Sequence, residues 1–338
     1  MQFRRQADGL HSLASKLADS IFRSMKPLII LLITLLVSCT QAEATQVPAV
    51  ATNTETILTS TIQPPTPVPS VTPTAEISCN PFEEDFCVTA GHFILQRPIQ
   101  PPANDLVDPT YLYGSTANGT RDPHHGVEFV NPSGTPVYAA AGGIVVYAGS
   151  DQEAIYSPWQ NYYGNLVVIL HPDELFTLYA HLSRIDVESG RQVRAGDKIG
   201  EIGRTGVAIG SHLHFEVRWG NGEDYFATEN PELWLVPARD ADGNLFGALL
   251  MSIVSQDRVL VTPAEFTVQY YPEPSQSPVK SYYGSTYPAD MLHGEENAAL
   301  GGLPAGRYRI ALERHGQLYE RWVDVQSGKL TQVVFVVR

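Results

Sequence analysis

His212-Leu213-His214-Phe215-Glu216-Val217-Arg218 is the stretch on which the fold and the chemistry of this chain turn. A run of this length, bounded by Gly210 and Gly220, reads as a β-strand. Side chains alternate along a strand, so His212 and His214 share one face, about 6 to 7 Å apart at the backbone. One surface therefore carries two imidazoles, enough for a metal ligand and a neighbouring acid-base group.

Working outward, the region from about 93 to 237 consists of short β-rich runs separated by Gly, Pro and Asn. Pro136–Ala148, Asn165–His171 and Thr177–Leu182 are examples, and the glycines of Gly190–Gly206 mark tight turns between short strands. No long amphipathic helix is evident. The predicted architecture is all-β, with antiparallel sheet or sandwich packing.

Two further histidine clusters fall in these runs. In His124-His125-Gly126-Val127-Glu128-Phe129 a histidine and a carboxylate stand four apart. Gly126 and the flanking Asp122-Pro123 disfavour a helix there and suggest a bend at a strand entry, which brings both side chains toward one ion. Tyr179-Ala180-His181-Leu182 supplies a third histidine. Catalytic zinc takes three ligands from His, Asp and Glu and leaves a fourth position for water, an inventory that two histidines and one carboxylate meet.

Four stretches together resemble the lysostaphin/LytM-type zinc metallopeptidases. They are His124–Phe129, Gly134-Thr135-Pro136-Val137-Tyr138-Ala139, Tyr179–Leu182 and Gly210-Ser211-His212-Leu213-His214-Phe215-Glu216, in that order. The resemblance implies a zinc endopeptidase acting on stem or bridge peptides of bacterial peptidoglycan. It implies one Zn2+ per chain held by His124, Glu128 and His214, with His181 and His212 in acid-base or transition-state roles. Tyr179 and Arg121, close to these motifs in sequence, are candidates to orient substrate; His125 and His171 are read as structural. The chain departs from the family at Glu128, where the pattern has aspartate. The extra methylene moves the carboxylate by about 1.5 Å, one carbon-carbon bond. A modest backbone adjustment restores the site; without one, the domain becomes a wall-binding or hydrolase-activating lipoprotein of the same fold.

The ends of the chain give its address. Leu28–Val37 is an apolar run about half the ~20 residues that cross a bilayer as a helix, so it reads as the core of a signal peptide. Leu36-Val37-Ser38-Cys39 resembles a lipobox, which makes Cys39 the lipidated residue and places the protein outside the cytoplasm, lipid-anchored or secreted; Met1 and Met25 are both candidate starts. Residues 40–78 are rich in Thr and Pro and lack Lys and Arg, a composition that cannot bury enough surface to offset ordering entropy. In an exported protein Cys79 and Cys87, eight apart, are expected to close a disulfide loop.

The expected layout is therefore 1–39 signal peptide, 40–78 disordered linker, 79–237 peptidase domain and 238–338 a smaller β-sandwich. Alternation at Tyr308, Ile310 and Leu312 implies one buried and one wet face there, and Gly301–Tyr308 resembles carboxypeptidase regulatory-like domains. A formal net charge of −14 argues against nucleic acid as a partner. Contact with the membrane is expected through the lipid alone, and a monomer is favoured.

Overall fold

The computed structural model describes residues 79–117, 119–273 and 277–338. The expected signal peptide, Cys39 and the expected linker at 40–78 lie outside the described residues. Among the described residues eighteen strands run in chain order as β1 Cys87–Thr89, β2 Val127–Val130, β3 Pro136–Tyr138, β4 Gly143–Ser150, β5 Asn165–Leu170, β6 Leu175–Ala180, β7 Leu182–Ile185, β8 Gln192–Val193, β9 Lys198–Ile202, β10 His212–Trp219 and β11 Thr228–Glu229. They continue as β12 Gly247–Val254, β13 Glu265–Tyr271, β14 Lys280–Ser285, β15 Ala298–Leu303, β16 Gly306–Arg314, β17 Gln317–Val325 and β18 Leu330–Val336. The only helical pieces among the described residues are single 3-10 turns such as Pro231–Leu233, so the fold is all-β.

A seven-stranded antiparallel sheet carries the histidines, in the order β11-β10-β6-β5-β4-β8 with β2 also paired to β10. Alternation explains how it buries both faces. Leu213, Phe215 and Val217 of β10, Val167 and Ile169 of β5 and Tyr179 of β6 point into one apolar core. A small sheet, β3-β9-β7, contributes Val137, Ile199 and Leu182 to the same core. On the other face Leu166, Val168, Leu178 and Ala180 pack with Tyr156, Tyr163 and Tyr225. Apolar area removed from water contributes roughly 25 cal/mol per Å², so a strand covered on both sides is pinned in register, because a slip of one residue would exchange its faces.

The second half is a two-sheet sandwich, β1-β18-β12-β15 against β14-β13-β16-β17. Tyr308, Ile310 and Leu312 do alternate inward, meeting Leu249, Met251 and Phe335 across the core. The sandwich is not wholly antiparallel, since β12 and β18 run parallel. The Cys79–Cys87 disulfide forms, with its Cα atoms 5.7 Å apart. Its second cysteine opens β1, which pairs antiparallel with β18, Cys87 opposite Gln332. The disulfide loop thus sits on the C-terminal sheet.

Candidate active site

Register brings the chemistry together. Across β10, His214 faces Glu128 of β2 on one side and Ala180 of β6 on the other, and His181 follows Ala180 directly. His124 enters from the bend before β2, and Gly126 lets that bend close. A Cβ on Gly126 would stand 2.5 Å from the Phe215 carbonyl oxygen and 2.9 Å from the His214 ring, so any larger residue would push His124 away from β10. His181 itself has a left-handed backbone, φ +62, an uncommon conformation for a side-chain-bearing residue and one often found at functional sites.

Three donor atoms converge. His124 Nε2 lies 2.9 Å from Glu128 Oε1 and 3.3 Å from His214 Nδ1, and His214 Nδ1 is 3.0 Å from Glu128 Oε1. Ligands bound tetrahedrally at about 2 Å from zinc are themselves about 3.3 Å apart, so the triangle is of the right size for one such ion. Among the described residues this is the one group of His, Cys, Asp or Glu side chains that meets the geometry of a metal site. The other Glu128 oxygen, Oε2, is 3.0 Å from His212 Nε2. The longer carboxylate therefore spans from the donor triangle to the neighbouring histidine. Burial alone would raise the Glu128 carboxyl, but the His214 and His124 imidazoles hold it well below the usual carboxylate range.

Hydrogen bonds behind the donors fix which nitrogen faces the triangle. His124 Nδ1–H donates to the backbone carbonyls of Tyr111 and Leu112 at 3.1 and 3.3 Å, and the Tyr111 ring stacks on the imidazole at 4.0 Å. His214 Nε2–H donates to Glu216 Oε1 at 2.9 Å. Glu216 is in turn held by Tyr163 Oη–H at 2.6 Å and by Arg218, whose Nη2 lies 2.7 Å from Oε2. Burial would raise the Glu216 carboxyl, yet the Arg218 guanidinium and His214 bring it down to about 2. His212, His214, Glu216 and Arg218 thus form a polar ladder along one face of β10. Neither Glu216, Arg218, Tyr163 nor Tyr111 was singled out from sequence. The ladder was visible in principle, as polar residues at every second position between Leu213, Phe215 and Val217.

His181 and His212 flank the triangle, their ring centroids 4.9 Å apart. Burial, reinforced by the nearby His214 and His212, pushes His181 down to about 3, so it is neutral at pH 7. Its Nδ1–H donates to the Thr205 carbonyl at 2.9 Å, which leaves the Nε2 lone pair free to accept a proton. Burial also lowers His212.

Tyr179 does not belong to the site. It stands one residue before Ala180, so parity turns it to the opposite face of the sheet, where it is fully buried and its hydroxyl oxygen accepts from the Ala140 N–H at 2.8 Å. Arg121 is placed at the rim, exposed, with its guanidinium 5.1 Å over the Tyr111 ring that stacks on His124. His125 and His171 are buried against other partners, His125 on Tyr225 at 3.9 Å and His171 Nδ1 on the Gly142 carbonyl at 2.9 Å.

Comparison with known proteins agrees with this geometry. Residues 122–226 match Peptidase family M23. Peptidoglycan DD-endopeptidase ShyA of Vibrio cholerae is 42% identical over 95 residues, 28% of this chain and 20% of that protein. DD-carboxypeptidase/endopeptidase Mpg of Neisseria meningitidis is 41% identical over 95 residues, again 28% and 20%. An uncharacterized lipoprotein of Escherichia coli, YgeR, is 39% identical over 105 residues, 31% of this chain and 37% of its own. The chain thus spans about a fifth to two fifths of the length of these relatives. The solved catalytic domain of lysostaphin from Staphylococcus simulans aligns at 28% identity over 44% of this chain and 90% of that one, with a TM-score of 0.29. The matched segment, from Asp122 to Phe226, holds all five histidine and glutamate side chains of the site, and it is this segment that resembles peptidase family M23.

Proposed function

We propose that this protein is a zinc-dependent endopeptidase that hydrolyses peptide cross-links or stem peptides of bacterial peptidoglycan. The observation that carries the reading is the donor triangle of His124, Glu128 and His214, bordered by two histidines that are not part of it. His124, Glu128 and His214 would hold one zinc ion per chain, which would supply Lewis acidity to the scissile carbonyl and to an attacking water. His181, neutral and with Nε2 free, accepts the proton of that water and can pass it to the leaving amine. His212 stands across from it as the donor to the developing oxyanion. Arg121, the exposed cation above Tyr111, would meet a substrate carboxylate. No covalent intermediate is required, because the nucleophile is water.

The N-terminal sequence supports export and lipidation at Cys39, followed by a tether from 40 to 78. A polyproline-like chain of that length reaches up to roughly 120 Å, at about 3.1 Å per residue, which suits a substrate lying above a membrane. Among the described residues no helix is long and apolar enough to cross one. We place the boundary between the peptidase segment and the accessory sandwich at 237/238 and treat the protein as a monomer.

The test is zinc content of the purified protein measured beside release of new amino groups from purified peptidoglycan. The expected result is one zinc per chain and amine release that stops with a chelator and returns with zinc. Wall binding without amine release, at substoichiometric zinc, would instead make the protein a binding or hydrolase-activating module.

A further inference from the structure

We infer that the C-terminal sandwich is a positioning element of the metal centre, acting through the turn 111–115 on His124. The inference rests on the peptidase reading for its metal and on separate contacts for its mechanism. His124 is the one member of the donor triangle outside a strand, since Glu128 lies in β2 and His214 in β10. What orients it is the turn. The Tyr111 and Leu112 carbonyls accept from its ring and Tyr111 stacks on it. Its own N–H donates to the Ser115 carbonyl at 3.0 Å, and its carbonyl accepts from the Gly114 N–H at 2.8 Å.

Residues 111–115 belong to no strand ladder, and a turn without one is ordinarily among the first parts of a fold to open. This turn is held by packing on the C-terminal half and, at Tyr113, by a hydroxyl that donates to the Thr228 carbonyl of β11 at 2.6 Å. Leu112 packs against the sandwich core, beside residues such as Phe266 and Leu312. Tyr113 meets Tyr287 edge to face at 5.0 Å. Gly114, at φ +76, lies so close that a Cβ there would come within 2.9 Å of the Tyr287 ring. Tyr287 is itself fixed: its hydroxyl accepts from Asn230 Nδ2 at 2.9 Å, its N–H donates to the Asn297 carbonyl at 2.7 Å and its carbonyl accepts from Thr262 Oγ1 at 2.7 Å. An open groove of about 800 Å³ runs between this segment and β13 and β14, lined by Leu112 and Tyr113 as well as by Thr110, Ser115 and Thr116. A ligand oriented by outer partners loses about 10- to 100-fold in metal affinity when they are removed. By that logic the sandwich acts on the zinc site without touching it.

The experiment compares Leu112→Ala with Val323→Ala in the full chain; Val323 is buried in the same sandwich core but has no part in the turn. Two quantities are read, zinc affinity by chelator competition and amide hydrogen exchange at Gly114 and His124 in the metal-free protein. Leu112→Ala should weaken zinc by about tenfold or more and speed both amides, while Leu112→Met largely restores them. Val323→Ala should lower the melting temperature but leave zinc affinity and those amides as in the wild type. Should Leu112→Ala fail to fold, Tyr287→Phe removes only the Asn230 hydrogen bond and should shift both readouts in the same direction by less. Wild-type affinity and exchange in the Leu112 and Tyr287 variants would overturn the inference, as would an equal loss in Val323→Ala. If the wild type itself binds no zinc, the peptidase reading falls, and the exchange rates still decide whether the sandwich holds the turn.

Discussion

Glu216 shows how much of the candidate metal site lies behind the donor triangle. It donates nothing to the triangle, yet it holds the His214 ring with Nδ1 turned inward, and Arg218 and Tyr163 hold Glu216. A buried ion pair of this kind is poor evidence for stability, since apolar residues of the same volume often do as well. Its value lies in fixing a tautomer. Replacing Glu216 by Ala should weaken zinc about 10- to 100-fold, and it should cost about 3 to 5 kcal/mol in urea unfolding because Arg218 is left buried without its partner. Loss of stability at unchanged zinc affinity would show that the pair is packing alone. Glu128 makes a second residue-scale case. Its Oε1 reaches both imidazole donors and its Oε2 reaches His212. Glu128→Asp retracts the carboxylate by about 1.5 Å, so on this backbone it should bind zinc more weakly in chelator competition. Equal affinity in the two proteins would show that the backbone adapts and that the family's aspartate and this glutamate are interchangeable here.

At the scale of elements, the site is assembled by the pairing of β2 and β6 on either side of β10. The residue types of the candidate site were legible in sequence, because histidines and glutamate in β-rich surroundings have few other uses at such spacing. Their convergence was legible only through the resemblance of four ordered motifs. Tyr179 was misplaced because nearness in sequence was taken for nearness in space, although its parity with Ala180 turns it to the far face. The turn at Tyr111 was missed for the opposite reason, being thirteen residues before His124 with no periodic pattern to mark it. Gly126→Ala tests the bend that joins β2 to the site. Its Cβ would meet the Phe215 backbone rather than a flexible side chain, so the bend must move outward. Zinc affinity should fall by at least about tenfold while β10 and its core remain folded by circular dichroism; retained affinity would mean that the bend has room to spare.

For the whole molecule, the two halves share half-buried carboxylates as well as apolar contacts. Glu229 of β11 is pushed up to about 7, first by burial and then by Glu296 of the C-terminal half, which burial also raises. An acid whose folded pKa lies above its unfolded value keeps its proton in the folded state after the unfolded chain has lost it. Stability should therefore fall as pH rises from about 4.5 to about 7 and then level off, by an amount on the order of 1 to 3 kcal/mol. Glu229→Gln should flatten that decline and raise the melting temperature near pH 7.5, and an unchanged pH profile would place the decline elsewhere. Sequence reading separated the two halves at 237/238 because a second series of alternating runs opens at Asp240–Asn244. Pairing between β1 and β18 could not be seen, since strand partners more than two hundred residues apart leave no local trace.

That same pairing decides where mechanical load enters if the protein is tethered from its N-terminal side. Tension arriving at Cys79 crosses the disulfide to Cys87 without drawing out residues 80–86, and it meets the molecule along β1 and its partner β18. The histidines stand on a different sheet, out of the direct line of pull. A thiol reductant would let out the bypassed loop, lengthening such a tether by up to about 20 Å at some 3.3 Å per residue, so that the sheet could stand farther from its point of attachment.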